Sequence, residues 1–208
     1  KLGFSVSGFV EKNRAWTNAG AKPGDKLILT KPLGTGTLTA ALKKDAAKEE
    51  WIRGAIQSMT TINDVIDSLR EIDIHSATDI TGFGLSGHAT QMALASDCEF
   101  HIELNSLPCL EGAKECLEKG FLTRAHTTNG TYTSEKTKWD LSKEVLEQWP
   151  DWKRKIVLDP QTSGGLLLSI PEAQTARALS KIQEAGFKSA SVIGSVLPKK
   201  GKEVIIYG

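Results

Sequence analysis

The chain has 208 residues, 39% hydrophobic and 25% charged, proportions that allow a buried core in one domain or a domain with a short appendage. Its 26 Lys and Arg offset 25 Asp and Glu to a formal net charge of +1, so no overall field draws in nucleic acid or an anionic membrane. No apolar stretch approaches the roughly 18 residues needed to span a bilayer.

The opening Lys1-Leu2-Gly3-Phe4 has neither an initiator Met nor a signal-peptide layout, as expected of a processed or excised piece. Gly3 to Val10 alternates apolar and small polar residues and is predicted to be a half-buried strand. A polar connector follows, so residues 1–20 read as the last strand of a preceding domain plus a linker, and 21–208 as one domain. Pro23-Gly24-Asp25 makes a turn into a buried strand from Lys26 to Thr30. A helix is predicted from Leu38 to Lys44. Trp51, Ile52, Ala55, Met59, Ile62, Val65, Ile66 and Leu69 then recur at helical steps, which predicts one longer amphipathic helix with Asp64, Asp67 and Arg70 on its wet face. A helix from about Leu85 to Ala95, a strand from Cys98 to Leu104 and a helix from Glu111 to Lys119 come next, the last ending at Gly120.

Phe121 to Pro150 is polar and without periodicity, so it is either a functional flap or partly helical. Strands are expected near Lys155 to Leu158 and from Gly165 to Ile170. A helix from Pro171 to Ala185 has Pro at its start and Gly186 at its end, and strands follow at Ser191 to Ser195 and Glu203 to Tyr207. Alternating strands and helices predict an α/β fold, a two-layer α+β arrangement in which helices cover a mixed sheet. Cys98, Cys109 and Cys116 form an odd set without CxxC spacing, which argues against a disulfide framework or a zinc site and suits a reducing cytoplasm. Cys109 and Cys116 are predicted to pack in the core.

Three segments carry chemistry. In Thr30-Lys31-Pro32-Leu33-Gly34-Thr35-Gly36, between a strand and a helix, Gly34 and Gly36 either open a phosphate-binding loop or make a tight turn. No Gly-Lys-Ser/Thr closes it, so it is not a Walker A loop. In Thr78-Asp79-Ile80-Thr81-Gly82-Phe83-Gly84, a carboxylate at a strand end precedes glycines at a helix start. Asp79 there can hold Mg²⁺ against nucleotide phosphates, or Asp79 or Thr81 can cap the helix; both readings stand. His88, a turn into that helix, is expected to be buried and hydrogen-bonded, and His75, His101 and His126 share no ligand spacing. In Asp159-Pro160-Gln161-Thr162-Ser163-Gly164-Gly165, a rigid turn feeds an apolar strand. Ser163 has no base at a suitable spacing and is not a hydrolase nucleophile.

These segments, in this order, resemble the selenophosphate synthetases (selenide, water dikinases): TKPLGTG, then ATDITGFGLSGH, then LDPQTSGGLLLSIP. The resemblance runs from about Gly3 to the C-terminus and is weakest from Phe121 to Lys155. It implies the C-terminal domain of the aminoimidazole ribonucleotide synthetase-like fold, shared with a hydrogenase maturation protein and thiamine monophosphate kinase, and a preceding ATP-binding domain whose last strand lies in residues 1–20. It further implies a cytoplasmic, homodimeric enzyme that makes selenophosphate from ATP, selenide and water, releasing AMP and phosphate. The Asp of TDxTGFG is a metal ligand in that family, and Asp79 matches it, so Mg²⁺ is implied at Asp79 and ATP at Gly34, Gly36, Thr81, Gly82 and Gly84.

The family's reactive Cys or selenocysteine, its nearby Lys and its other metal-binding Asp residues lie upstream of the residues present here. No catalytic residue is therefore assigned in this chain, which is expected to be inactive alone. A family Gly-Gly-Thr-x-Arg-Asn element falls near residues 121–129, where Phe121-Leu122-Thr123-Arg124-Ala125-His126-Thr127-Thr128-Asn129 lacks the glycines. A sister ATP-using enzyme of the superfamily and a non-catalytic interaction domain are the alternatives.

Overall fold

The computed structural model describes residues 3, 5, 7–12, 14–140 and 150–207. Seven strands form one mixed sheet: β1 (Asp25–Leu29), β2 (Ser76–Asp79), β3 (Cys98–Glu103), β4 (Thr137–Trp139), β5 (Leu166–Pro171), β6 (Ser191–Pro198) and β7 (Val204–Tyr207), in the spatial order β2-β5-β1-β6-β3-β7-β4. β1 lies antiparallel between β5 and β6, β2 pairs antiparallel with β5, and β3 with β6. The parallel pairs are β3 with β7 and β4 with β7. The sheet is the mixed one expected.

The period-two alternation of strands separates two cores. Leu27 and Leu29 join a cluster with Leu85, Ala89 and Met92 of helix α3 (Gly84–Ser96) and Leu117 of α4 (Ala113–Glu118). Ile28 points the other way and joins Ala178 and Ile182 of α7 (Glu172–Glu184), together with Val65 and Leu69. Helices therefore cover both faces of the sheet. A satellite cluster of Leu38, Trp51, Ala55 and Cys116 joins α1 (Thr35–Leu42) and α2 (Glu49–Thr60) to α4.

Two local expectations change. The stripe from Trp51 to Leu69 is not one helix: α2 stops at Thr60, and a short 3₁₀ turn covers Asp67–Leu69. The Thr60 and Thr61 hydroxyls turn back to donate to the Ile56 and Gln57 carbonyls, and Asn63 Nδ2 donates to the Gly164 carbonyl, pulling the chain off the helix axis. Ile62 and Ile66, members of the stripe, are left exposed.

Lys155 to Leu158 is not a strand. Asp151–Ile156 forms α6, with an acidic residue in its first turn and Lys153, Arg154 and Lys155 in its last, the order that complements the helix dipole. The 121–150 region contains α5 (Arg124–Thr133) and β4, and residues 141–149 lie outside the described ones. The strand expected over Gly3 to Val10 includes residues 4 and 6, which are not described. Its described residues have no strand partner, and Phe9 and Val10 are exposed.

Candidate functional site

The three chemistry-bearing segments meet at one end of the sheet, and the turn from Asp159 to Gly165 is their junction. Helix α1 begins after Gly34, which has no side chain to satisfy the first amides. Those amides are met from more than a hundred residues away. Gln161 Oε1 accepts from the N–H groups of Gly34 (3.0 Å) and Thr35 (3.2 Å) and from the Thr35 hydroxyl (3.1 Å), while Asp159 Oδ2 accepts from the Gly36 N–H (3.1 Å). Gln161 Nε2 donates to the carbonyl and the carboxylate of Asp159. Gly36 is required by this approach, because a Cβ would stand 2.5 Å from the Pro160 carbonyl oxygen and 2.6 Å from Asp159 Oδ1.

The amides of Gly34 and Gly36 are both buried and already bonded to this chain's own side chains, as in the tight-turn reading of this loop. Asp159 is fully buried, and its Oδ1 has no hydrogen-bond partner among the described residues. Burial pushes its carboxyl up to about 7, against the downward pull of the Thr37 N–H, the Gln161 amide and the Gly36 N–H.

The second glycine turn is built differently. Asp79 ends β2 opposite Leu166, and its exposed side chain makes no hydrogen bond or ion pair among the described residues. The backbone beyond it is pinned on its inner side. Ile80 N–H donates to the Gly165 carbonyl (2.8 Å), the Thr81 carbonyl accepts from Gln161 N–H (2.9 Å) and Gly84 N–H (3.0 Å), and the Gly82 carbonyl accepts from Asn129 Nδ2 (2.9 Å). A trans peptide aims its N–H opposite to its carbonyl. The inward Thr81 and Gly82 carbonyls thus turn the Gly82 and Phe83 N–H groups outward, and neither has a partner among the described residues. A Cβ at Gly82 would meet nothing within 4 Å. Gly84 has φ +66° and packs on the backbone of Val157, Leu158 and Asp159, where a Cβ would come to 3.0 Å.

No side chain caps α3, which removes the reading of Asp79 or Thr81 as its cap. The Thr81 N–H donates to His88 Nε2 at 3.1 Å, so that nitrogen carries a lone pair and the ring is neutral. Burial lowers the His88 pKa, and the charge of Asp79 pulls the other way. Buried and hydrogen-bonded as expected, His88 props the turn. Phe83, half-exposed, lies against Tyr132 and His88 with ring centroids 5.7 Å and 5.8 Å away.

Lys31 clasps the same junction from the other side. Its ammonium donates to the carbonyls of Thr61 (2.6 Å) and Ser163 (3.0 Å), tying the negative end of α2 to the double-glycine turn. The cysteines are free; Cys98 and Cys116 are buried, and burial pushes Cys109 up to about 11, so none is poised as a thiolate. His75 pairs with the buried Asp25 at 2.8 Å, which also accepts from Ser169, a structural arrangement.

No group of three or more His, Cys, Asp or Glu that could hold a metal occurs among the described residues. A lone carboxylate still suffices for Mg²⁺ where phosphate oxygens and water complete the octahedron. The exposed carboxylate of Asp79, without a hydrogen bond or ion pair among the described residues, fits that requirement. It opens onto a groove of about 890 Å³ lined by Phe9, Trp16, Arg70, Thr78 and Leu166 among others. Asn129, Gln161 and Asp159 were not foreseen as members of this site. The one available signal was that a helix starting at glycine needs its amides satisfied from elsewhere.

The family model for the C-terminal domain of AIR synthase related proteins matches residues 22–207. The chain belongs to that family. It is 49% identical over 208 residues to the selenide, water dikinase of Bdellovibrio bacteriovorus, covering 99% of this chain and 57% of that protein. It is 45% identical to the one from Nitrosomonas eutropha, again spanning 57% of its length. Among solved structures, Escherichia coli HypE superposes with TM-score 0.68 at 20% identity over 94% of this chain and 50% of HypE. The thiamine monophosphate kinase of Aquifex aeolicus gives 0.57 at 17% identity, covering 94% and 54%. At those identities the structures establish that this family member has the AIR synthase-like fold. No helix among the described residues is long and apolar enough to cross a membrane.

Proposed function

We propose that this AIR synthase-related chain is the C-terminal part of a selenophosphate synthetase, which converts ATP, selenide and water to selenophosphate, AMP and phosphate. Asp79 is its metal-binding carboxylate. The observation that carries the reading is the unpaired Asp79 side chain at a strand end, three residues before a turn whose Gly82 and Phe83 N–H groups have no partner among the described residues. The relatives at 45–49% identity named selenide, water dikinase support the substrate class over a sister activity. A HypE structure in complex with ATP, alike in fold with TM-score 0.61, supports nucleotide use.

Bound Mg²⁺ would neutralise charge on the phosphates during transfer. The chain's own residues supply the rest of this half-site. Asp79 anchors the cation, and the Thr81–Gly84 turn offers backbone N–H groups to phosphate oxygens. Neutral His88 holds Thr81 in place without adding a competing positive charge. Gly34 and Gly36 act through packing rather than by touching the nucleotide. The residues that activate selenide belong to the upstream part of a homodimeric, cytoplasmic enzyme, so this chain alone forms no AMP.

The test is Asp79→Asn in the full-length enzyme, which keeps the side chain's size and removes its charge. ATP turnover at limiting Mg²⁺ is expected to fall at least tenfold, with the melting temperature unchanged. Equal turnover at every Mg²⁺ concentration would leave Asp79 without a metal role.

A further inference from the structure

Resting on the reading of Asp79 as a metal ligand, we infer that Asn129 is a positioning residue that aims the Phe83 N–H of the Thr81–Gly84 turn at the metal-bound phosphates. Asn129 lies in α5 and is 3% exposed. Its Nδ2 donates to the Gly82 carbonyl at 2.9 Å and to the Leu158 carbonyl at 3.0 Å. Both partners are acceptors, so the amide must present its NH₂ group to them, and that fixes its orientation. One side chain thereby ties the open glycine turn to the Asp159 junction.

The direction of the bond matters more than its strength. Gly82 has no side chain, its Cβ position faces open space, and it is exposed. Side-chain packing at Gly82 therefore does not stop the Gly82–Phe83 peptide from rotating. With the carbonyl held inward by Asn129, the Phe83 N–H points outward. If that carbonyl is released, the peptide can flip and present an oxygen to the phosphates instead, exchanging attraction for repulsion. A residue that only supported α5 would not need to reach two carbonyls outside it.

The experiment uses the full-length enzyme and Mn²⁺·ATP. Binding is read from the free Mn²⁺ electron paramagnetic resonance signal, and steady-state KM and kcat are measured separately. Asn129→Ala removes both bonds. Asn129→Asp is isosteric but sets a carboxylate against two carbonyls. Thr133→Val serves as the control, because the Thr133 hydroxyl donates to the Asn129 backbone carbonyl within the buried face of α5 and does not touch the turn.

Both Asn129 variants are expected to weaken Mn²⁺·ATP binding and raise KM about tenfold while kcat at saturation changes less, and Thr133→Val is expected to leave both unchanged. Wild-type binding in Asn129→Ala, or the same loss in Thr133→Val, overturns the positioning role. Asp79→Asn, measured alongside, separates the two claims. A loss there with none in Asn129→Ala sinks this inference alone, whereas unchanged binding in Asp79→Asn sinks the metal reading and this inference with it.

Discussion

Replacing Asp159 by Asn should make the stability of the protein less sensitive to pH in a specific window. The carboxyl is fully buried and rises from the ordinary 3.8 to about 7 because burial penalises its charged form. A group whose folded pKa is raised binds a proton more tightly when folded. Its favourable contribution is therefore complete below about 3.8 and is lost as pH climbs through about 7. A displacement of about three pH units at about 1.4 kcal/mol each is about 4 kcal/mol in full, of which about 3 kcal/mol falls between pH 4.5 and 8. Asparagine keeps an oxygen for the Gly36 N–H and Gln161 Nε2 but has no charge to bury, so its own cost is independent of pH. Urea unfolding of wild type and Asp159→Asn at pH 4.5, 6 and 8 isolates the effect, since every other titrating group cancels in the difference. The variant is expected to gain about 3 kcal/mol on wild type across that range. A constant difference at all three pH values would refute a buried, proton-accepting Asp159.

Two further substitutions probe the junction around that carboxyl. Gly36→Ala is expected to destabilise by about 1–3 kcal/mol, because its methyl group meets the Pro160 backbone oxygen at 2.5 Å, while Gly82→Ala, with open space at its Cβ, should unfold at the same urea midpoint as wild type; equal midpoints for both would contradict the packing. Lys31→Met keeps the aliphatic stem and deprives the Thr61 and Ser163 carbonyls of their donor, an expected loss of about 2–3 kcal/mol that thermal melts would show, and an unchanged melting temperature would mean that water satisfies both carbonyls.

How much of this was legible in the sequence depends on how far a residue's partner lies along the chain. β1, α3 and α7 could be read because their apolar period and their punctuation, such as Pro23-Gly24 before β1, are local. The stripe from Trp51 to Leu69 misled because apolar spacing continued across a break that Thr60, Thr61 and Asn63 impose through hydrogen bonds. Ile156-Val157-Leu158 looked like strand because three apolar residues in a row carry no period, and the Pro150-Asp151 start of α6 lay outside that window. Asp79 was legible as a candidate from its place between strand and glycine turn. Its role as a cap could be eliminated only by seeing that no side chain bonds the first amides of α3.

The contrast between the two glycine turns is what favours one of them as the proposed site. Both precede helices whose N-cap residues, Gly34 and Phe83, make no side-chain cap bond, so composition alone cannot rank them. At α1 the amides of Gly34, Thr35 and Gly36 are consumed by Gln161 and Asp159. At α3 the inward carbonyls of Thr81 and Gly82 are the groups consumed, by Gln161 N–H and Asn129 Nδ2, which leaves the amides facing out, a few residues beyond the unpaired Asp79. Gln161 thus takes part in both, closing the first turn with its side chain and bracing the second with its backbone. A substitution that loosens Gln161 should disturb both turns together, which ties the stability of the junction to the shape of the proposed metal site.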